Sequence, residues 1–295
     1  MQPGERRRSP DRITRCTMSD WPSLFRKRQP LDTWFTRIAE RLLNGSRLMV
    51  RRRPYRLVEI EFYYWSKTHP DPFTHRDPIQ FGIGHWYFHR SHGAYRSGSF
   101  KGLDLTFGQG ASSGGVLIRG LETPDGERID GPSLCVDYLL NRTGAATVSE
   151  LDRAANKHLA WENSNPLMLE KTDTLEKRQL FRSPRVGLAL KKVAAPMEAV
   201  RFVMRPYRYL TEPRRTKKGK LLLVLALHVQ GVGAQEIQRL TNCPRRIVQR
   251  YIAAFECGRK EADFAPYFGM ELGPAELCKL YGVWFAHWGF LGKTR

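Results

Sequence analysis

Apolar and polar positions alternate most sharply over Leu57-Val58-Glu59-Ile60-Glu61-Phe62-Tyr63-Tyr64. β-Branched and aromatic residues at period two read as a strand, with Glu59, Glu61 and Tyr63 on one face and Ile60, Phe62 and Tyr64 on the other. Two readings of the acidic face compete: an edge strand with solvated carboxylates, or a site built round Glu61. Upstream, Trp34, Ile38, Leu42 and Leu43 recur at helical spacing from Asp32, with Asn44-Gly45 as the stop. Downstream, Leu103 to Phe107 and Val116 to Glu122 are two further strands across a Gly/Ser-rich turn. Gly131-Pro132-Ser133 opens a helix, and Ser149 with Asp152 caps another that runs to about Trp161. Phe181 to Leu190 reads as a connection and Val200 to Met204 as the last strand.

Beyond Thr211 to Gly219, which reads as a linker, the period changes to that of helices. Lys220 to Gln230 is an apolar helix and Ala234 to Thr241 a short one with Ile237 and Leu240 inward. Pro244 to Ile252 turns Ile247, Val248, Tyr251 and Ile252 inward and Arg245, Arg246, Gln249 and Arg250 outward. That is the layout of a helix-turn-helix, whose second helix enters the major groove; a plain three-helix bundle with a solvated basic face is the alternative. Trp284, Phe285 and Trp288 then mark a packing helix.

Composition adds a partner. A chain of 295 residues with a formal net charge of +20 points to a polyanion, and nucleic acid is favoured over a membrane surface. The longest apolar run, Leu221 to Val229, is too short to span a bilayer, and the N-terminus shows no secretory h-region. Five scattered cysteines without a CxxC pair imply reduced thiols, hence an intracellular, DNA-associated protein with no disulfide. Residues 1–30, with Arg6, Arg7, Arg8, Arg26, Lys27 and Arg28, read as a mobile basic arm, or as a leader upstream of Met18. Arg51, Arg52 and Arg53 would place further positive charge beside Glu61.

Candidate chemistry lies on and after the opening strand. Thr68 to Pro78 is a loop, and loops of this kind carry function. His85, Trp86, Tyr87, Phe88, His89, Arg90, His92 and Tyr95 interleave imidazoles, aromatics and a cation, which suits base stacking and phosphate contact. Were the run helical, His85, His89 and His92 would share a face as metal ligands; as a strand, only His85 and His89 do. Arg119, alone in an apolar strand, requires a carboxylate partner, and Glu61 is a candidate.

Four segments, in this order, resemble the alkyladenine (3-methyladenine) DNA glycosylase family: Val58 to Glu61 with Tyr63, Val116 to Glu122, Gly131 to Cys135, and Pro184 to Leu188. The resemblance covers about residues 50–210 and excludes the helix-turn-helix. It implies an α+β fold, a curved antiparallel sheet with surrounding helices, here followed by a small all-α domain. The domain plan is then 1–30 arm, 31–211 glycosylase-like, 212–219 linker and 220–295 helix-turn-helix with an aromatic C-terminal helix. By resemblance Glu61 activates water, Arg119 holds water and carboxylate, Tyr63 stacks on a flipped base and His75 serves as the active-site histidine. His89, His92 or Tyr95 replaces the family's stacking and intercalating tyrosines, and Asp104 stands for a pocket asparagine, which changes base selectivity. The partner is double-stranded DNA, contacted also by Arg51, Arg52, Arg53, Arg90, Arg245, Arg246, Gln249 and Arg250; no cofactor, metal, membrane or obligate protein partner is implied.

The expected activity is hydrolysis of the N-glycosidic bond of a damaged base, alkylated or deaminated, because such a base leaves the stack at lower cost. A DNA-binding regulator with a degenerate site and a metal-dependent nuclease built on His85, His89 and His92 are the alternatives. The geometry round Glu61 separates them: an open basic cleft favours the enzyme, and a Glu61 sealed by packing opposes it.

Overall fold

A computed structural model describes residues 21–26 and 30–291 of the chain. Most of the expected basic arm, including Arg6, Arg7, Arg8, Cys16, Lys27 and Arg28, lies outside the described residues. The chain opens with helices α1 (Trp21–Phe25) and α2 (Leu31–Asn44), the second as its apolar spacing requires. Strands β1 (Ser46–Val50) and β2 (Arg53–Ser66) form a hairpin whose turn, Arg51-Arg52, takes positive φ at both residues. Short β3 (His69–Pro70) pairs with the end of β2, and β4 (Ile83–Phe88) leads into a separate small hairpin, β5 (Arg90–Ser91) and β6 (Ala94–Tyr95). β7 (Leu103–Phe107), β8 (Ser113–Glu122) and β9 (Arg128–Asp130) follow, then helices α3 (Pro132–Thr143) and α4 (Val148–Ala155). β10 (Leu167–Lys171), β11 (Phe181–Ser183), α5 (Pro196–Val203) and β12 (Arg208–Leu210) complete this part. Helices α6 (Lys220–Val229), α7 (Ala234–Thr241), α8 (Arg245–Gly258) and α9 (Pro274–Trp288) close the chain.

The class is α+β, as expected. Every strand pairing among the described residues is antiparallel, and the main path runs β10-β1-β2-β8-β7-β4. β2 is the spine: one edge pairs with β8, the other with β1 near its start and with β12 over Glu59 to Glu61. Its apolar face is covered by α2, where Phe35 stacks on Phe62 at 4.4 Å and Trp34 meets Tyr64 edge-on at 5.6 Å. An acidic edge strand is therefore not what β2 is. Glu59 and Glu61 are buried in the middle of the sheet.

Three local expectations change. Val200 to Met204 is not a strand: Ala199, Val200 and Val203 bury one face of α5, begun by Pro196, against the C-terminal helices. A short apolar run with β-branched residues does not distinguish strand from buried helix. The cap of α4 is Thr147, whose hydroxyl accepts from the Glu150 N–H, and the helix stops at Ala155 because the Asn156 side chain bonds the backbone of Trp86 on β4. The expected boundary at 212–219 is crossed by the core. Leu190 and α5 pack with Phe255, Tyr281 and Trp284, while Phe181 and Leu210 pack with Leu223, Ile237 and Val248.

A buried charge cluster ties the strands together. Glu59 Oε1 accepts from Arg119 Nε at 3.0 Å and Arg208 Nε at 2.9 Å, and Oε2 from an Arg128 terminal nitrogen at 2.7 Å. One carboxylate thus joins β2 to β8, β9 and β12. Burial alone would raise the Glu59 carboxyl, but Arg208, Arg119 and Arg128 override it and hold it at about 2. Arg208 also donates to the carbonyls of Lys218 and Gly219, so the expected linker is bonded into the sheet's polar layer.

Glu59→Gln is expected to cost about 3–5 kcal/mol in urea unfolding, because three buried guanidiniums lose their carboxylate. With a folded pKa of about 2 against an ordinary 4.5, the stabilisation by Glu59 is complete above about 4.5 and is lost as pH falls towards 2. Acid titration of the wild type should therefore show a loss in that window that Glu59→Gln lacks. In the helical part, a Cβ at Gly282 would run into the backbone of Phe255 and Gly258. Gly282→Val should lower the stability by about 1–3 kcal/mol or more. Gly233→Ser, at the N-cap of α7 with φ −68° and open space round its Cβ, should raise it by a few tenths of a kcal/mol.

Candidate functional site

Register assembles the site from separate motifs. Glu61 faces Arg208 of β12 on one side and Leu117 of β8 on the other; Leu117 faces Asp104 of β7, and Asp104 faces Tyr87 of β4. Residues opposite one another in antiparallel strands share a face, so these five form one row across five strands. With neighbouring strands about 4.8 Å apart, the backbones of Glu61 and Asp104 are about 10 Å apart.

At one end of the row, Glu61 is fully engaged. Oε1 accepts from the Val186 backbone N–H at 2.7 Å and lies 3.3 Å from Arg119 Nε, and Oε2 accepts from the Tyr63 hydroxyl at 2.9 Å. Burial would lower the Arg119 pKa, but Glu61 and Glu59 together raise it, so it remains a cation shared between two carboxylates. Burial, followed by the charge of Glu61, pushes the Tyr63 phenol well up, so it acts as a neutral donor. Arg185 supports both groups. Its guanidinium lies 4.7 Å from the Tyr63 ring centroid, is paired with Asp71 at 2.7 Å and donates to the carbonyls of Phe62 and Phe202. It thereby fixes the bend after β11 that presents Val186.

Glu61, Arg119 and Tyr63 converge, but not in an open basic cleft: the Glu61 side chain has 0% exposure. Tyr63 is half-buried, with one ring face taken by Arg185, which leaves at most the other for stacking. The expected positive charge beside Glu61 does not come from the hairpin arginines. Arg53 begins β2 eight residues before Glu61, about 26 Å along the strand, and Arg51 and Arg52 lie beyond it in the turn. The charges beside Glu61 are Arg119, Arg208 and Arg185, each drawn from a different segment.

The other end of the row holds the histidines. His89 Nε2 lies 2.7 Å from Asp104 Oδ1, and Asp104 Oδ2 accepts from the Gln80 amide at 3.0 Å. The His75 ring meets His89 edge-on at 4.4 Å, and its Nδ1 bonds the Tyr87 hydroxyl at 3.1 Å. Desolvation of His75 by this packing, reinforced by the neighbouring His89, keeps it neutral at pH 7 although part of the residue stays exposed. Burial pushes the Tyr87 phenol up to about 12. Asp104 therefore has both oxygens occupied and acts first as the group that orients His89. Two glycines make the room: a Cβ at Gly102 would meet the His89 ring, and one at Gly115 would meet Asp104 and Gln80.

The rest of the histidine run does something else. Asp152 of α4 accepts from Arg90 at 2.7 Å and from the Tyr95 hydroxyl at 2.6 Å, and Arg90 also lies over the Tyr95 ring at 4.8 Å. Arg90 and Tyr95 thus anchor the β5-β6 hairpin to α4, and neither is a free contact for a base or a phosphate. His92 is exposed at the hairpin turn with φ 51°. His85, His89 and His92 do not gather: among the described residues no group of three or more His, Cys, Asp or Glu side chains is placed to hold a metal ion. Arg245, Arg246, Gln249 and Arg250 are exposed on α8, outside this row.

Several residues of the site carried no assignment in the sequence. Arg208 could have been found by the rule that singled out Arg119, a lone arginine among Tyr207, Tyr209 and Leu210. Gln80 and Asp71 lie in an irregular stretch with no periodic signal, and Val186 contributes only its backbone.

No family profile matches the chain. A Rhodococcus jostii (strain RHA1) protein named "Putative 3-methyladenine DNA glycosylase" is 28% identical over 169 residues, which cover 51% of this chain and 71% of that protein. It is a distant, partial homologue. "Uncharacterized protein L759" of Acanthamoeba polyphaga mimivirus is 32% identical over 207 residues, 65% of this chain and 92% of the viral protein. At that identity over nearly the whole viral protein, this chain belongs to the same family as protein L759 of the mimivirus.

Proposed function

We propose that the sheet's polar face binds DNA and releases a damaged base, with Glu61 as the group that activates water. The observation that carries the reading is the convergence of Arg119, Tyr63 and the Val186 N–H on Glu61, which stands in one row with Asp104, the partner of His89. The distant Rhodococcus homologue named as a 3-methyladenine glycosylase supports the same class of activity. In this chemistry the bond between C1′ and the base breaks, its electron pair leaves with the base, and water adds to C1′ as Glu61 takes its proton. A base made cationic by alkylation needs little further protonation. Arg119 keeps the carboxylate in place, and Leu117 stands between Glu61 and the Asp104 that holds His89.

A carboxylate has about four lone-pair positions, and three here are used by Val186, Arg119 and Tyr63. Water reaches Glu61 when the Tyr63 hydroxyl turns away, so a bound base that engages the ring also opens the site. Phe100, 72% exposed on the turn after the β5-β6 hairpin, and His92 at the hairpin tip are the groups placed to touch the duplex beside a displaced base.

The closed state of Glu61 favours a second reading, a DNA-binding protein whose glycosylase-like face no longer does chemistry. Base release separates the two. Duplex DNA carrying an alkylated purine, and duplex carrying a deaminated one, should each be tested with wild type, Glu61→Gln and Tyr63→Phe. The enzyme reading expects Glu61→Gln to lose about 10²–10⁴ of the rate and Tyr63→Phe, which frees Oε2 but keeps the ring, to retain most of it. Release that survives Glu61→Gln removes Glu61 from the mechanism. A wild type that binds both duplexes but frees neither base leaves the second reading.

A further inference from the structure

We infer that the outer face of α7 and α8 is a docking surface for duplex DNA, distinct from the Glu61 face and built into the same body. Ile237 of α7 and Val248 of α8 join Leu223, Val224 and Leu227 of α6 in one buried cluster. That packing turns Gln235, Gln238 and Arg239 of α7, and Arg245, Arg246, Gln249 and Arg250 of α8, to solvent. Residues 242–244 join the two helices. Asn242 takes a left-handed φ of 53°, and the Thr241 hydroxyl donates to the Ile237 carbonyl and accepts from the Cys243 N–H. A three-residue turn locked in this way holds the second helix at a set angle to the first, with its early turns standing free.

The chemistry of the face selects the partner. Residues 212–260 contain eleven lysines and arginines against three glutamates. Arg239 pairs with Glu236 and Arg259 with Glu256, whereas Arg245, Arg246 and Arg250 pair with no carboxylate among the described residues. No acidic residue occupies the first turn of α8. Beside α7 runs a groove of ≈ 640 Å³ lined by Arg214, Gln235, Gln238, Arg239 and Asn242, with Glu236 as its acid. Cationic and amide groups of this kind bind phosphates and read base edges, and an apolar peptide would find little to bury. A lipid surface fits less well, since the exposed large hydrophobics among the described residues, Phe100, Leu134, Met197 and Met270, lie elsewhere. Duplex RNA fits less well because its deep, narrow major groove does not admit a helix.

The face is held in fixed relation to the sheet at both ends. The later turns of α8 lie against α9, where Gly258 and Gly282 let the two backbones meet. α6 is preceded by Gly219, whose missing side chain leaves room for Val186 and Arg208, the residues that bond Glu61 and Glu59. DNA gripped by α8 is therefore registered to the polar face, whatever chemistry that face performs.

Fluorescence anisotropy with a labelled, undamaged DNA duplex tests this without any need for base release. The triple variant Arg245→Ala, Arg246→Ala, Arg250→Ala should bind at least tenfold more weakly at about 0.1 M salt, and its log K against log salt should be shallower by about 2–3. Gln249→Ala should weaken binding with no change in slope. These side chains are exposed, and an unchanged thermal midpoint confirms that the variants fold. Wild-type affinity and slope in the triple variant would overturn the proposal. So would tighter wild-type binding to an RNA duplex of the same sequence, or to phosphatidylserine vesicles, than to the DNA.

Discussion

The structure depends on one buried carboxylate, that of Glu59, and on the three guanidiniums that surround it. Arginines from β8, β9 and β12 meet there because each strand would otherwise bury a cation without compensation. Glu59 alone does not balance three charges. Glu61 shares Arg119, while Asp130 and Glu212 share Arg128. The stretch that looks like a linker is thus a carrier of ligands for this cluster, supplying the Glu212 carboxylate and the Lys218 and Gly219 carbonyls. The same cluster that holds the sheet sets the position of Arg119, so stability and site cannot be separated at that residue.

Glu61 draws on the same supports but differs from Glu59 in one respect. Glu59 is held by arginines alone, whereas Glu61 is held by one arginine, one backbone N–H and one phenol. The phenol belongs to a half-buried residue, with Arg185 against one face of its ring. Across Leu117, the pairing of Asp104 with His89 and Gln80 forms a second polar centre on the same face. An aspartate there is accommodated because Gly115 leaves space above β8 and because an imidazole and an amide take its two oxygens.

Much of the architecture was legible. Period-two alternation over 57–64 sets the faces of β2, and helical spacing marks α2 and α6 to α9, since strong local periodicity survives into the folded state. The lone arginine rule placed Arg119 with a carboxylate, because a buried cation requires one. Short elements were less legible. α5 was expected as a strand, and β1 and β10 carried no clear signal, because runs of five residues have too few positions for a period to show.

What the sequence by itself determined is the local order: which residues alternate, which helices carry a basic outer face, and that Glu61 would lie on the face with Glu59 and Tyr63. What only the tertiary structure decided is partnership. Arg51, Arg52 and Arg53 lie far along β2 from Glu61, Arg208 lies next to it, and Arg90 and Tyr95 belong to Asp152. The reason is that strand register and helix packing bring together residues far apart in the chain, such as Glu59 and Arg208, 149 positions apart, and no local pattern encodes such a distance.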